Sequence, residues 1–519
     1  MFRKNLLHFF FTLLLCIIGL YSTFLPTISS GFKLLQTDPG DTLLNAYILE
    51  HNYQFVFNRN YIAELWSPAF FYPYKNVLMY SVNLFGTAPF YWVLRSVFGW
   101  LTAYQLWMML MFLLMFISFY MLMKSIKVNP YISTISSYLF AFNITRVTQL
   151  GHQQLLGQFY TPLAILFLFK FYTIPSFKLL HLTFLFVYLQ IMGDYYLGWF
   201  LILSIGIFIP VTLYMDKTIV IKLSAFIKGN LISFLLTFVF WISMMLLSLY
   251  PYIKFSFTSV ATRPISEVAK MLPTFYSWMQ SPPGSLWYRD LSYQMPEYIE
   301  EHYLFIGVFS ISILLISFVI YFTKKLKRNN PFILSCLITA IILYILSFSF
   351  GNNISLWFQI YSIVPGAKAI RAVARIEFII YFYLILSAFM ALDILYKNVK
   401  KNKYIIPLFV FLVVLIVAEQ SVIKRYSFNP TMFNEDVLFV QRSINTCKVA
   451  YIMTDTKDFY RKINIQLVAM FAGLQSGVPV INGYSGFFPY PLDRNLKEPE
   501  LKKILGKLSF ENLCIAKLN

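Results

Sequence analysis

Stretches of roughly 20 apolar residues recur along most of this chain, and they restrict its fold more than any other feature. As a helix, a stretch of that length matches the apolar thickness of a bilayer. Charged residues make up only 12% of the 519 residues, about half the share of a typical soluble protein. The sequence therefore predicts a polytopic α-helical membrane protein with about 11 transmembrane helices. The predicted spans are 7–25, 104–123, 130–147, 155–172, 179–195, 197–215, 229–250, 303–323, 331–350, 375–396 and 404–423.

The basic residues are distributed as in a membrane protein of one defined orientation. The formal net charge of +20 comes largely from lysines and arginines in short loops between apolar runs, which indicates membrane topology and not nucleic-acid binding. Arg3 and Lys4 precede the first span and predict a cytoplasmic N-terminus. The composition, rich in Lys, Asn, Ile and Phe, is typical of an AT-rich bacterial genome. We therefore expect a multi-pass protein of the bacterial cytoplasmic (inner) membrane.

Three segments on the predicted outer side are too long to be simple connections: 26–103, 251–302 and the tail. Loops of this length are usually functional or separately folded. Within the first loop, residues 84–100 predict an interfacial or re-entrant helix. The tail contains strand-like and helix-like stretches, so residues 424–519 are predicted to form a small extracytoplasmic α/β domain. Residues 1–423 would then form the transmembrane domain.

The four cysteines are scattered, and no CxxC motif occurs. A zinc site or a thiol-redox site is therefore not expected. Cys16 and Cys336 lie in predicted spans. Cys447 and Cys514 lie in the tail and could pair there if the tail is extracytoplasmic, where disulfides persist.

A short acidic segment, Asp38-Pro-Gly-Asp41, follows the first span, and Glu50 and His51 come shortly after it. Two carboxylates three residues apart on a Pro-Gly turn, just above a lipid surface, suit a base or a cation site. Such a site would act on a membrane-anchored substrate. The alternative is a polar turn that caps a helix starting near Thr42, because Asp is a favoured N-cap.

Four stretches, spread from the first loop to the tail, carry a family resemblance through their order and spacing: 38–45 (DPGDTLLN), 142–146 with 151–154 (FNITR, GHQQ), 364–375 (VPGAKAIRAVAR) and 482–489 (NGYSGFFP). Together they resemble the GT-C class of integral-membrane glycosyltransferases. Within that superfamily, the chain is most similar to bacterial multi-spanning proteins related to the YfhO-like membrane proteins. The resemblance implies a GT-C-like fold and a catalytic acidic residue near the start of the first outer loop. It also implies a sugar donor carried on polyprenyl phosphate.

Glycosyl transfer from a lipid phosphate needs a base for the acceptor hydroxyl and positive charge for the leaving phosphate. We expect Asp41 to be the base, in an inverting displacement, and Asp38 to orient the acceptor. The cofactor is left open between Mg²⁺, Mn²⁺ and none, although the two aspartates and Glu50 could hold a divalent cation.

Polar residues near the outer ends of the spans are the candidates for substrate binding. His152 and Gln153 follow Arg146 between two predicted spans, and polar groups at such depth are costly unless they line a cavity. They are predicted to bind substrate together with Glu50 and His51. The alternative for 152–154 is a hydrogen-bonded turn that joins two helices.

Lys368, Arg371 and Arg375 would share one face if a helix begins near Ala367. They lie on the predicted outer side, against the general trend of the basic residues. The functional hypothesis is that the two arginines grip the donor phosphate by bidentate hydrogen bonds. The alternative is contact with lipid phosphates of the outer leaflet.

We expect structural roles for the remaining acidic residues near the ends of the spans. Asp194 fits a helix terminus better than a second catalytic acid. Glu377, Asp393 and Glu419 suit pairing between helices or charges reaching the interface.

The predicted function is transfer of a hexose or pentose from a polyprenyl-phosphate-linked donor to a cell-envelope glycan, lipid or protein, with membrane lipids as further partners. The alternatives are a transporter or flippase for a lipid-linked glycan and a non-catalytic scaffold. Transporters often have matching halves and charged residues near the bilayer midplane. In this sequence the acids and histidines concentrate in outer loops, and no two halves match, which favours an enzyme.

Overall fold

A computed structural model describes residues 2–257, 262–288, 299–323, 330–351, 354–399, 405–423, 425–491, 495–506 and 512–518. In this part of the chain the α-helices are α1 (Phe2–Thr23), α2 (Leu25–Ser29), α3 (Pro39–Phe57), α4 (Ala88–Arg95), α5 (Trp100–Ser125), α6 (Pro130–Phe142), α7 (Ile144–Thr148), α8 (Tyr160–Thr173), α9 (Phe177–Gly193), α10 (Tyr195–Met215), α11 (Lys217–Gly229), α12 (Leu231–Ser248), α13 (Tyr250–Ser256), α14 (Ile265–Lys270), α15 (Val308–Thr323), α16 (Pro331–Ser347), α17 (Trp357–Ile363), α18 (Glu377–Val399), α19 (Ile405–Glu419), α20 (Thr431–Ile444), α21 (Phe459–Ser476) and α22 (Glu498–Leu505). The strands are β1 (Leu35–Gln36), β2 (Ser427–Phe428), β3 (Val449–Met453) and β4 (Leu513–Lys517).

The apolar stretches form helices, as expected of membrane spans. Among the described residues, 6 helices are long and apolar enough to cross a bilayer: Asn5–Thr23, Trp100–Ser125, Gln153–Thr173, Tyr195–Met215, Leu231–Ser248 and Val373–Lys397. Shorter apolar helices cover Phe177–Gly193, Val308–Thr323, Pro331–Ser347 and Pro407–Glu419. The prediction of a helical membrane protein is confirmed, and the count of eleven spans stays a prediction.

Some of these helices present apolar side chains outward, where a soluble protein would present polar ones. Only 6% of the apolar window of α12 is buried inside the protein, and Ile232, Leu236 and Val239 on it are 74%, 62% and 60% exposed. An apolar surface of this extent requires an apolar surrounding. By contrast, 78% of the window in α18 is buried, so α18 lies in the centre of the bundle.

The bundle has two ends, which are named here after two acidic residues. At the Asp41 end, the start of α3 meets the loop before α8 and the start of α18. At the Asp393 end, the backbone N–H of Asn129 before α6 donates to Asp393 Oδ1 at 2.9 Å. Residues 377 and 393 of α18 are separated by about 24 Å along the helix axis, which is the depth of the bundle between the two ends.

The first long loop contains a helix that is too short to span a bilayer. Helix α4 has 8 residues, which corresponds to a length of about 12 Å. It is joined to α3 by Arg95, which donates to Glu50 at 2.9 and 3.2 Å. The segment 84–100 thus contains a short helix, and its interfacial or re-entrant position stays a prediction.

The predicted strands near 449 and 513 and the predicted helix before Gly477 form in the tail, whereas 478–481, also predicted as a strand, forms only a single bridge. Strands β3 and β4 pair in parallel, and Val480 forms a parallel bridge to Ala450. Helix α21 ends at Gly477, whose φ of 73° is the left-handed conformation that glycine favours at a helix C-terminus. Cys447 and Cys514 form a disulfide that joins the end of α20 to β4.

The tail has a small hydrophobic cluster of its own, and most of its buried apolar residues belong to the main core of the protein. The separate cluster consists of Val449, Tyr451, Ile481, Leu496, Leu501 and Leu505. Phe471 of α21 contacts Tyr47 of α3 and Trp100 of α5, with ring centroids 5.5 and 5.0 Å apart. Strands β1 and β2 pair antiparallel and join the first loop to the tail. The domain boundary at 423/424 stays a prediction, because the apolar core continues across it.

The acids near helix ends make structural contacts. Asp194 caps α10 by accepting the backbone N–H of Leu197 at 2.6 Å. Glu419 accepts the backbone N–H groups of Phe309 and Ser310 at 2.7 and 2.9 Å. The predictions of a helix-terminus role for Asp194 and an interhelical role for Glu419 are therefore confirmed.

Candidate functional site

The start of α3 separates the roles of the two aspartates. Asp38 is the N-cap, and its Oδ1 accepts the backbone N–H of Gly40 at 2.9 Å. Pro39 follows at the first helical position, where a missing N–H has no cost. The helix therefore begins before Thr42, and the capping interpretation applies to Asp38. Asp41 lies in the first turn, and its side chain reaches other partners.

The carboxylate of Asp41 bridges two distant parts of the chain. Its Oδ2 lies 3.0 Å from Nδ1 of His152, and its Oδ1 accepts a hydrogen bond from the hydroxyl of Tyr484 at 3.1 Å. The side chain of Asp41 is 33% exposed and that of His152 is 22% exposed. The carboxylate is thus held in place and still accessible to a molecule from outside the protein.

His152 connects Asp41 to a buried ion pair. Its Nε2 lies 3.6 Å from Oε1 of Glu301. Arg375 donates to Glu301 from Nε at 3.1 Å to both oxygens and from Nη2 at 2.5 Å. The guanidinium also lies over the ring of Tyr196, 5.2 Å from its centroid. Bidentate, charge-assisted bonds fix geometry well, so the imidazole is held between two carboxylates.

These contacts determine the charge of Asp41. Burial alone would raise its pKa, but the hydrogen bond and charge of His152, the charge of Arg375 and the hydrogen bond of Tyr484 hold the pKa below the ordinary 3.8. Burial and the Asp41 carboxylate raise the pKa of Tyr484, so its hydroxyl stays a hydrogen-bond donor. Asp41 is therefore ionised at neutral pH and able to accept a proton.

Two further carboxylates lie close to this network. Burial and the charge of Asp41 raise the pKa of Asp38. Burial raises the pKa of Glu300, with a counteracting effect of His152 and a further rise from Asp38. Within the described ranges, no group of three or more His, Cys, Asp and Glu side chains could hold a metal ion.

Buried amide groups hold the two loops of the site together. Nδ2 of Asn45 donates to the backbone carbonyl of Asp41 at 2.8 Å and to the side chain of Gln153 at 3.1 Å. Gln153 donates in turn to the hydroxyl of Thr42 at 2.7 Å. Gln153 thus forms a hydrogen-bonded turn, while the neighbouring His152 faces the carboxylate.

Residues 364–375 do not form the helix that would align the three basic residues. Ala367–Ala369 is a single 3₁₀ turn, and α18 begins after the segment has ended. The backbone is bonded to the preceding loop instead: the N–H of Arg263 donates to the carbonyl of Lys368 at 3.0 Å, and that of Ala374 to Met271 at 3.1 Å. Lys368, Arg371 and Arg375 therefore do not share one helical face, and that prediction is wrong.

The three basic side chains consequently have different surroundings. Lys368 is exposed. Arg371 is 37% exposed and donates to Glu267 of α14 at 3.0 Å. Arg375 is buried and bonded to Glu301. Lys368 and Arg371 remain accessible to a ligand, whereas Arg375 supports the site from within.

Glu50 and His51 are not brought to the Asp41 site. Residue 50 lies about 13 Å beyond residue 41 along α3. Glu50 accepts hydrogen bonds from Arg95, Tyr91 and Gln54. His51 is buried, with Nδ1 2.7 Å from the hydroxyl of Tyr61. Both side chains are occupied by protein partners.

Sequence reasoning assigned no role to Tyr484 and did not place Glu301 in the site. Tyr484 lies within the stretch 482–489 that contributes to the family resemblance, which was the available signal. Glu301 lies in a loop cluster with Glu300 and His302, and nothing local distinguishes the three. The site around the Asp41 carboxylate is thus built from five distant parts of the chain. They are the first loop, the loop before α8, the loop before α15, the segment before α18 and the tail.

Comparison with protein-family models and with curated proteins finds no match for this sequence. The class of protein therefore rests on the structure, whose apolar helices define a helical membrane protein. Within that class, the chain is distinguished by the partly exposed Asp41 carboxylate, held by His152 and Tyr484 at one end of the bundle.

Proposed function

We propose that this protein is a membrane glycosyltransferase with a GT-C-like architecture. It would transfer a hexosyl or pentosyl group from a polyprenyl-phosphate-linked donor to a hydroxyl of a cell-envelope glycan, lipid or protein. The observation that supports the proposal most is the state of Asp41. Its carboxylate is oriented by His152 and Tyr484 and is one-third exposed, which is the geometry that a general base needs.

The reaction assigns one role to each part of the site. Asp41 accepts the proton of the acceptor hydroxyl while the oxygen attacks the anomeric carbon of the sugar. The bond from that carbon to the phosphate oxygen breaks, and its electron pair leaves with the polyprenyl phosphate. His152 and Tyr484 keep Asp41 ionised and oriented, and the ion pair of Arg375 with Glu301 keeps His152 in place. Asp38, at the N-cap of the same turn, orients the acceptor.

Arg371 is the group proposed to stabilise the departing phosphate. It is the partly exposed arginine of the basic segment, and its charge acts on Tyr484, which places it in the electrostatic surroundings of the Asp41 site. Its present partner Glu267 lies on α14 of the second long loop. A phosphate would compete with Glu267 for the same guanidinium edge, and Lys368 adds exposed positive charge nearby in sequence.

The outer face of the membrane is the proposed location of the site. The distribution of basic residues in the sequence puts the Asp393 end in the cytoplasm and the Asp41 end outside. The disulfide between Cys447 and Cys514 supports this side for the tail, because disulfides persist in oxidising compartments. The tail contributes Tyr484 to the Asp41 site, so both belong to the same compartment.

The experiment is turnover of polyprenyl-phosphate-linked hexoses and pentoses by purified protein in lipid nanodiscs, read as released polyprenyl phosphate. Asp41→Asn should reduce turnover by about a thousandfold, within the range for loss of a general base. The matched control is Glu64→Gln, which removes one negative charge from the same loop at a side chain that is 63% exposed. It should keep the wild-type rate.

A second arm separates transfer from transport. In sealed vesicles, a flippase would move the labelled lipid-linked sugar between leaflets without cleaving it. Movement without cleavage, or cleavage that survives in Asp41→Asn, would exclude the proposed reaction. Absence of both cleavage and movement with every donor would favour the scaffold.

A further inference from the structure

A cavity with polar and apolar lining lies at the Asp393 end of the bundle, far from Asp41. It is enclosed by the ends of α8 and α10, the start of α11 and the start of α16. Its volume is about 160 Å³, several times the share of about 30 Å³ that one water takes up in the liquid. The polar residues around it are Tyr172, Thr173, Thr212, Asp216, Thr218, Lys222 and Asn330.

Two of the residues that line this cavity have a buried hydroxyl group without a hydrogen-bond partner. These groups are the phenol of Tyr172 and Oγ1 of Thr212, each on a residue that is at most 3% exposed. A buried hydroxyl without a partner costs about 1–3 kcal/mol, and buried polar groups in proteins are nearly always satisfied. Both groups can donate, so they indicate an occupant with acceptor oxygens.

The mouth of the cavity carries one cation and one anion that are not paired with each other. The ammonium group of Lys222 makes a single long hydrogen bond, 3.5 Å, to the carbonyl of Thr173. Oδ1 of Asp216 accepts the backbone N–H and the hydroxyl of Thr218. No ion pair joins Lys222 to Asp216 in the described part of the chain. An occupant with both charges would satisfy both side chains.

The surroundings of the mouth are apolar and exposed. Ile174, Tyr214 and Ile221 are 73%, 73% and 70% exposed. Helix α11 has no buried residue and alternates such apolar side chains with lysines, which is the composition of a helix lying in a membrane interface. A molecule entering here comes from the lipid, with its polar group at the level of α11.

We propose that this cavity binds the headgroup of a phospholipid that carries both a phosphate and a primary ammonium group. The phosphate oxygens accept hydrogen bonds from Tyr172, Thr212 and Lys222, and the ammonium donates to Asp216. A purely anionic headgroup would place its charge beside the Asp216 carboxylate without an ammonium group to offset the repulsion. The proposal rests on the membrane class of the protein and is independent of the glycosyl-transfer reaction.

Native mass spectrometry of the full-length protein, equilibrated with defined lipid mixtures in detergent, tests the proposal. The probes are phosphatidylethanolamine, phosphatidylglycerol, phosphatidylcholine and free phosphoethanolamine. Wild-type protein should retain one phosphatidylethanolamine in preference to the other lipids. Lys222→Gln should weaken its retention about tenfold, the effect of losing one charge-assisted hydrogen bond. The double variant Tyr172→Phe with Thr212→Val should weaken it to a similar extent.

The matched control is Lys228→Gln, a lysine on the same helix that does not border the cavity. It should leave lipid retention unchanged. Equal retention of all three lipids, or equal loss in the Lys228 and Lys222 variants, would reduce the effect to general attraction between α11 and lipid and overturn the proposal. Binding of free phosphoethanolamine as tight as that of the lipid would also overturn the lipid assignment. A lower melting temperature in the double variant, with lipid preference unchanged, would limit the two hydroxyls to a structural role and count against the site.

Discussion

Helix α3 carries two carboxylates with hydrogen-bonded partners, and they differ in what surrounds them. Glu50 is 4% exposed, and Arg95, Tyr91 and Gln54 satisfy it from the same loop region. Asp41 is 33% exposed, and its partners come from the loop before α8 and from the tail. The first arrangement leaves no room for a ligand. The second leaves one face of the carboxylate open.

One helix can thus carry both a structural carboxylate, Glu50, and a carboxylate available for catalysis, Asp41. A closed ion pair contributes to the free energy of folding, and removal of one partner leaves an uncompensated charge. An open carboxylate supported by donors is available for reaction with a substrate. Matched pairs of variants, one from each region, therefore distinguish the two roles.

The largest expected difference is between Glu50→Gln and Asp41→Asn in stability. Glu50→Gln leaves Arg95 without its carboxylate and should lower the free energy of unfolding by about 2 kcal/mol, below the full cost for a buried pair because Arg95 is partly exposed. Asp41→Asn should change it by less than about 1 kcal/mol, since Asn can still accept from Tyr484. Denaturant titration in detergent measures both. Equal losses of unfolding free energy in the two variants would contradict the assignment of a structural role to Glu50 and a catalytic role to Asp41.

The next pair compares two arginines. Arg371→Lys should raise the donor KM about tenfold, because lysine cannot reproduce bidentate contacts to phosphate. The stability should stay near that of the wild type, as the salt bridge to Glu267 is partly exposed. Arg95→Lys should do the reverse, with reduced stability and an unchanged KM. Donor-dependent kinetics and melting curves of the two variants provide the readout, and an unchanged KM in Arg371→Lys would exclude its phosphate role.

A smaller difference is expected between two tyrosines that donate to carboxylates on α3. Tyr484→Phe removes the 3.1 Å bond to Asp41 and should lower turnover about fivefold, which corresponds to the net value of about 1 kcal/mol for a typical hydrogen bond. Tyr91→Phe removes the 2.7 Å bond to Glu50 and should lower stability while turnover per folded molecule stays constant. Single-turnover rates normalised to folded protein test this. A loss of turnover in Tyr91→Phe as large as that in Tyr484→Phe would remove the distinction.

The helical class and the position of Asp41 could be predicted from the sequence because both are local properties. Apolar runs of span length become helices wherever they occur, and an Asp-Pro pair before a helical stretch marks an N-terminus. The strand at 449–453 and the end of α21 near Gly477 were likewise predictable from local composition.

The surroundings of the acids could not be predicted, because they depend on contacts between residues that are distant in the chain. The segment from Ala367 fits a helix by local pattern. Its backbone is bonded instead to residues 263–271, about 100 positions earlier. From the sequence, Glu50 is a candidate for substrate or cation binding. The fold shows that it forms a salt bridge with Arg95 instead. Tyr484 lies 443 positions from the aspartate it contacts.

The smallest expected effect is a displacement of a pH profile. His152→Gln keeps a hydrogen-bond donor beside Asp41 and removes the imidazole. Since the hydrogen bond and charge of His152 lower the pKa of Asp41, the variant should raise it. Turnover requires ionised Asp41, so the acid limb of kcat/KM should move to higher pH. Glu50→Gln is the matched variant and should leave this limb in place.

The same change has a consequence for stability, with a sign that can be checked. A folded-state pKa below the ordinary 3.8 means that Asp41 contributes stability above that pH, and that this contribution is lost as the pH falls through the folded-state pKa. His152→Gln should reduce the contribution, so the variant and the wild type should converge in stability at acidic pH and differ at neutral pH. An acid limb that moves to lower pH in the variant, or a stability difference that grows on acidification, would show that His152 does not act on Asp41 through its charge.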